Sequence, residues 1–200
     1  MKNEKYTLIT GGSKGIGKAI AIECASRKMN ILIVALPGED LNNTAQELSQ
    51  KFDIQSDSFG IDLTEIDGPE NVYKWCIQNK YEVDILVNNA GIAGTSVFEN
   101  STLEYSNTRI QLNIRALVLM CRLFISDLKK SPTSYILNIG SLSAYYAIPY
   151  KSVYAASKAF VVSFSTALND ELKDTSIFVS VVCPNGVETN KGTFKRIKLH

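Results

Sequence analysis

YTLITGGSKGIG, residues 6–17, decides the fold. An apolar β-rich run ends in a glycine turn, and an amphipathic helix follows, with Ile16, Ile20, Ile22 and Cys24 on its apolar side. Gly11, Gly15 and Gly17 give the spacing GxxxGxG. Without side chains the backbone can turn sharply and approach a pyrophosphate, and the helix start offers free amides and the positive end of its dipole. The residues Gly12, Gly17 and Lys18 also fit GxxxxGK, the opening of a triphosphate-binding loop. That loop needs Ser or Thr next to hold magnesium, and the methyl group of Ala19 cannot do so. The turn therefore predicts a dinucleotide site, with Ser13, Lys14 and Ile16 alongside the glycines.

Working outward, ILIVA (31–35), DILVNN (84–89), YILNIG (135–140) and IFVSVV (177–182) read as further strands, and a weaker one is expected near residues 57–61. They alternate with helical stretches at about 39–52, 66–80, 104–129 and 152–172. Strands apolar at nearly every position are covered on both faces. The expectation is an α/β fold: a doubly wound parallel sheet of Rossmann type in three α/β/α layers, one NAD(P)-binding domain over residues 1–200. Residues 104–129 and 152–172 carry more apolar side chains than one buried stripe needs, which predicts a homodimer formed through these helices.

Composition narrows the function classes. Hydrophobic residues make up 45% and charged residues 20%, the balance of a globular chain rather than a disordered one. The net charge is +1 and the basic residues are scattered, so neither nucleic acid nor a membrane surface is an expected partner. The longest apolar stretch, ALVLMCRLFI at 116–125, is too short to span a bilayer and contains Arg122. The start of the chain has no apolar signal core, and a cytoplasmic location is expected. Cys24, Cys76, Cys121 and Cys183 are far apart and the sole histidine is His200, which argues against a zinc site and reads as buried thiols.

Tyr154 and Lys158 are four residues apart, one helical turn, on the same face. A cation there stabilises a phenolate and makes the phenol usable as a general acid or base. Ser141 follows strand YILNIG at the carboxyl edge of the sheet, where doubly wound folds bind ligands, and its hydroxyl could bond a substrate carbonyl.

With these residues the chain resembles a short-chain dehydrogenase/reductase. The likeness runs in order from TGGSKGIG through Asp62-Leu63, NNAG at 88–91, Asn113, Ser141 and YAASK at 154–158 to PNGVET at 184–189. It implies that Tyr154 protonates the carbonyl oxygen and that Ser141 orients it. Lys158 would bind the nicotinamide ribose, and Asn113 would hold a water linking that lysine to solvent. It also implies that Asp62 and Leu63 lie near the adenine, that Asn88, Ala90 and Gly91 shape the wall beside the cofactor, and that Pro184, Val187 and Thr189 contact it. Asn185 replaces the glycine that relatives carry after the proline, and its tolerance of left-handed backbone angles would keep that turn.

After the second strand the chain reads Ala35-Leu36-Pro37, with no carboxylate before Glu39, while Lys14 can pair with a phosphate. These features favour NADP over NAD, although relatives' arginine is absent at Leu36. The expected reaction is NADPH-dependent reduction of a ketone, the small-molecule partner being a carbonyl compound or its alcohol. The alternative is a dinucleotide-binding sensor or scaffold without turnover. Tyr145, Tyr146 and Ile148 in LSAYYAIPY (142–150) are expected near the pocket. Relatives continue past PNGVET with a substrate-covering segment and a last strand, for which residues 191–200 are too few, so a longer parent chain is expected.

Overall fold

The computed structural model describes residues 5–186. Six strands form one parallel sheet in the order β3-β2-β1-β4-β5-β6: β1 Lys5–Thr10, β2 Asn30–Ala35, β3 Ser56–Gly60, β4 Glu82–Asn88, β5 Ser134–Ile139 and β6 Ile177–Val182. The expected weak strand is β3, which is short and only half-buried because it lies at the sheet edge.

Adjacent residues of the central strands point to opposite layers, and both are apolar. Ile9, Ile31, Ile33 and Val87 pack under α1 (Gly15–Ser26) and α2 (Glu39–Phe52). Leu8, Leu32, Val34, Leu86 and Ile136 pack under α3 (Gly68–Gln78), α5 (Leu117–Leu128) and α6 (Ser152–Glu171). The three-layer α/β/α architecture follows from that two-faced burial.

The expected helix over 104–129 is interrupted. Helix α4 (Leu103–Ile110) passes into one wider π turn at Gln111–Ala116 before α5 continues. No helix of the described residues is long and apolar enough to cross a membrane. Of the four cysteines, Cys76 and Cys121 are buried, whereas Cys24 and Cys183 are only half-buried, a correction to the expectation for all four.

Since β1, β2 and β3 step one way from the centre and β4, β5 and β6 the other, the direction of winding reverses between β1 and β4. Parallel strands also put all carboxyl ends on one edge. The loops leaving β1 and β4 diverge there and open the crevice in which such sheets bind ligands.

Candidate active site at the carboxyl edge of the sheet

The glycine turn is built around missing atoms. Gly11 and Gly15 have φ of +65° and +55°, which side-chain-bearing residues adopt at a cost. A Cβ on Gly17 would lie 2.3 Å from the Gly11 carbonyl oxygen and 2.4 Å from Asn89 Nδ2. Gly17 therefore lets α1 seat directly on the turn. Asn89 completes the knot, its amide donating to the carbonyls of Thr10 (2.9 Å) and Gly11 (3.0 Å). The Thr10 hydroxyl accepts the Asn89 and Ala90 amides, both at 3.0 Å. The two strand ends flanking the crevice are thus tied together.

Helix α1 begins after Lys14 with neither a side-chain cap nor an acidic residue in its first turn, so its first amides remain free for an anion. The Lys14 ammonium is 2.5 Å from Asp40 Oδ2, and its bond holds that exposed carboxyl below the usual range. Thr44 donates to the Asp40 carbonyl at 2.7 Å with its hydroxyl 3.4 Å from the Ser13 carbonyl, and Glu47 pairs with Lys18 at 3.0 Å, so one side of α2 lies along the turn. Ile16 is half-buried beside it.

At the end of β3, Asp62 accepts both the amide and the hydroxyl of Thr64 at 2.8 Å, and Leu63 is buried behind it. Asn88 turns into the helix layer, where its amide donates to Asn138 (2.9 Å) and to Cys121 Sγ (3.2 Å). It supports the crevice wall from behind. Gly91 lies in the crevice, where a Cβ would stand 3.3 Å from Asn113 Oδ1 and 3.4 Å from Lys158 Nζ.

Lys158 is 5% exposed, and its ammonium donates to the Ile139 carbonyl at 2.7 Å. Burial lowers its pKa to about 8. Among the described residues no carboxylate pairs with it, and two of its N–H groups remain to be used. Asn113, in the π turn, accepts the Ile92 amide at 2.9 Å and donates to the Ile92 carbonyl (3.1 Å) and Ser157 Oγ (3.0 Å). The Ser157 hydroxyl donates to the Tyr154 carbonyl at 2.7 Å. Asn113 thereby fixes the loop after β4 against the first turns of α6.

Ser141 Oγ accepts the amide (3.2 Å) and the hydroxyl (2.9 Å) of Ser143, which leaves its own proton to point elsewhere. The half-buried Tyr154 has no hydroxyl partner among the described residues. Next to it a hollow opens between Ser96, Phe98 and Ser101 of the loop after β4, Tyr105 of α4, and residues 150–154. Tyr145, Tyr146 and Ile148 do not line it. Tyr145 and Tyr146 are 60% and 63% exposed, and the Tyr145 hydroxyl lies 3.9 Å from Cys183 Sγ on the loop after β6.

Pro184 accepts the Leu142 amide at 3.0 Å and so ties the loops after β5 and β6 together. Asn185 does not adopt a left-handed conformation. Its side chain instead accepts the Gly186 amide at 2.8 Å. Val187, Thr189 and the expected missing segment lie outside the described residues.

Sequence reading missed Thr10, Asn89, Asp40, Ser143 and Ser157. Thr10, Asn89, Ser143 and Ser157 lie inside the quoted stretches TGGSKGIG, NNAG, LSAYYAIPY and YAASK, so a signal for them existed. Asp40 becomes visible only when α2 folds back along the turn.

The short chain dehydrogenase family model matches residues 5–198. Very-long-chain 3-oxoacyl-CoA reductase of Bos taurus is 31% identical over 196 residues, which are 96% of this chain and 62% of that protein. The chain thus spans about 60% of the length of the curated relatives it matches. A short-chain dehydrogenase from Sphingobium yanoikuyae, solved in complex with NADPH, superposes with a TM-score of 0.87 at 32% identity, over 92% of this chain and 72% of that one. L-sorbose reductase from Gluconobacter frateurii, complexed with NADPH and L-sorbose, gives 0.90 at 27% identity over 98% and 74%. Glycine turn, buried lysine and family match coincide on one crevice, and the chain belongs to the short-chain dehydrogenase family.

Proposed function

We propose that the chain is an NADPH-dependent reductase that converts a ketone to an alcohol. The observation that carries this reading is Lys158: a buried, carboxylate-free ammonium one turn from Tyr154, with donors to spare. Burying such a charge is unfavourable unless something at the site uses it.

The crevice fits a nicotinamide dinucleotide. The uncapped start of α1 and the side-chain-free turn would hold its pyrophosphate, and Lys158 its nicotinamide ribose. When bound, the nicotinamide supplies the hydride. Ser141, anchored by Ser143, donates a hydrogen bond to the substrate carbonyl and orients it. Tyr154 passes its phenolic proton to that oxygen, and the Lys158 ammonium stabilises the phenolate left behind. Both Asn113 amide protons are engaged by the protein, so it sets the distance between the Gly91–Ile92 backbone and α6, and a water linking Lys158 to solvent would donate to one of its carbonyl oxygens.

NADP over NAD rests on Lys14, the cation beside the end of β2, for which a 2′-phosphate would replace Asp40 as partner. Pairing with a second copy would use α6, where Phe160 is 39% exposed and stacks on Phe164 at 5.8 Å. Fluorescence titration with NADPH and NADH, followed by cofactor oxidation with a panel of ketones, tests the reading. Tighter NADPH binding with turnover supports it. Binding without oxidation by any ketone would overturn it in favour of a dinucleotide sensor.

A further inference from the structure

One cation lines the hollow beside Tyr154 and a second stands behind its wall, both without anions. Lys151 lines it directly. Arg109 is only 7% exposed and stands behind its Tyr105 wall, with Cζ 3.2 Å from the ring centroid. The Arg109 guanidinium donates to the carbonyls of Tyr105 (2.7 Å) and Ala93 (2.9 Å), and its buried Nε has no partner. Among the described residues no carboxylate lies within 4.0 Å of either side chain. Two carbonyl dipoles and a ring face solvate a guanidinium but do not neutralise it. A buried charge is screened less than an exposed one, so Arg109 adds positive potential behind this wall.

The backbone adds to the same sign. Residues 151–154 of the hollow are the start of the 20-residue α6, whose N-cap Lys151 makes no side-chain cap and whose first turn has no acidic residue. Free amides and the positive dipole end therefore face the space. The hydroxyls of Tyr150 and Ser152, residues of its lining, have no partner among the described residues, and that of Tyr105 lies beside Gly94 and the Arg109 guanidinium. Those of Ser96 and Ser101 are spent on the carbonyls of Val97 (3.2 Å) and Phe98 (2.8 Å). Tyr150 has φ of +65°, unfavourable for a tyrosine, and its carbonyl accepts the Ser96 amide at 2.8 Å. That bond holds the hollow's two sides together. Hydroxyls alone would suit a sugar. An unpaired cation at an uncapped helix start, a second behind the wall and no acid in the lining favour an anion.

We propose that this hollow receives an oxyanion head group, a carboxylate or a phosphate, carried by the ketone whose carbonyl Tyr154 protonates. The proposal rests on the reductase reading, and the test separates the two. The probes are 3-oxohexanoate, its neutral methyl ester, dihydroxyacetone phosphate and dihydroxyacetone, each with the 200-residue chain and NADPH. The charged member of a pair is expected to show kcat/KM about tenfold above its neutral partner, the size of one charge-assisted hydrogen bond. The pair that shows the preference identifies carboxylate or phosphate. Lys151→Met is expected to collapse that ratio, and Lys151→Arg to restore it.

Binding is read independently of turnover, as the rise in Tm that 3-oxohexanoate or dihydroxyacetone phosphate gives the NADP+ complex. The wild type is expected to show this rise and Lys151→Met to lose it. Equal use of charged and neutral ketones, or the same Tm rise from the ester, would overturn the proposal. Anion-dependent stabilisation with no turnover of any ketone would overturn the reductase reading and leave the anion site standing.

Discussion

The two walls of the crevice are specified in opposite ways. On the β1 side the glycine turn is defined by what is absent: a Cβ on Gly17 would collide with the Gly11 carbonyl, and backbone groups do most of the bonding. On the β5 side the proton-transfer set depends on polar side chains taken out of water, with Asn113 and Ser157 buried and Lys158 bonded to the Ile139 carbonyl. Close packing tolerates little change of volume, so the first wall is sensitive to size. The second is sensitive to charge, because a buried polar group without its partner is costly. Binding and chemistry can therefore be damaged separately.

The largest expected effect lies on the polar wall. Tyr154→Phe removes the proton and keeps the ring, so ketone reduction should fall roughly 10²–10⁴-fold while NADPH titration is preserved. Retained turnover would break the division of labour. Next is Gly17→Ala, which adds a single methyl group to the size-sensitive wall. It should cost about 2–3 kcal/mol, read from urea unfolding midpoints, and weaken dinucleotide binding with it.

Lys158 sharpens the contrast through pH. Its folded pKa of about 8 lies below the ordinary lysine value of 10.5, so between these values the unfolded chain binds more protons and stability rises with pH. Relative to Lys158→Met, the wild type should gain about 2 kcal/mol between pH 7.5 and 10 in chemical denaturation. The rate of reduction should run the other way, falling as the ammonium is lost above about pH 8. The smallest effect is expected at the exposed Lys14–Asp40 pair. Asp40→Asn frees the ammonium and should tighten NADPH about two- to threefold more than NADH, in keeping with the modest worth of surface ion pairs.

The size-sensitive wall was legible in the sequence because glycine spacing is local, and so were the strands, whose apolar runs require burial on both faces. Tyr154 and Lys158 were legible through helical periodicity. The setting of the polar wall was not. That Asn113 would spend its amide on Ile92 and Ser157, that Asn88 would turn into the helix layer while Asn89 knotted the strand ends, and that Asp40 would reach Lys14 all depend on contacts between residues far apart in the chain. Of the aromatic residues of LSAYYAIPY, the last tyrosine lines the hollow, while Tyr145 lies against Cys183 of the loop after β6.

The π turn at Gln111–Ala116 joins two helices with different duties: α4 faces the hollow with Tyr105, and α5 faces the core with Met120, Phe124 and Leu128. Each residue advances an α-helix by about 100°, so the turn works as a phase shifter. Deleting one residue there would restore a regular helix and leave α5 seated in the core. The α4 half would rotate by about that angle, carrying Tyr105 and Arg109 away from the hollow. A deletion in that one turn would thus re-aim the α4 wall of the hollow and displace Asn113 with it, while Met120, Phe124 and Leu128 of α5 keep their places in the core.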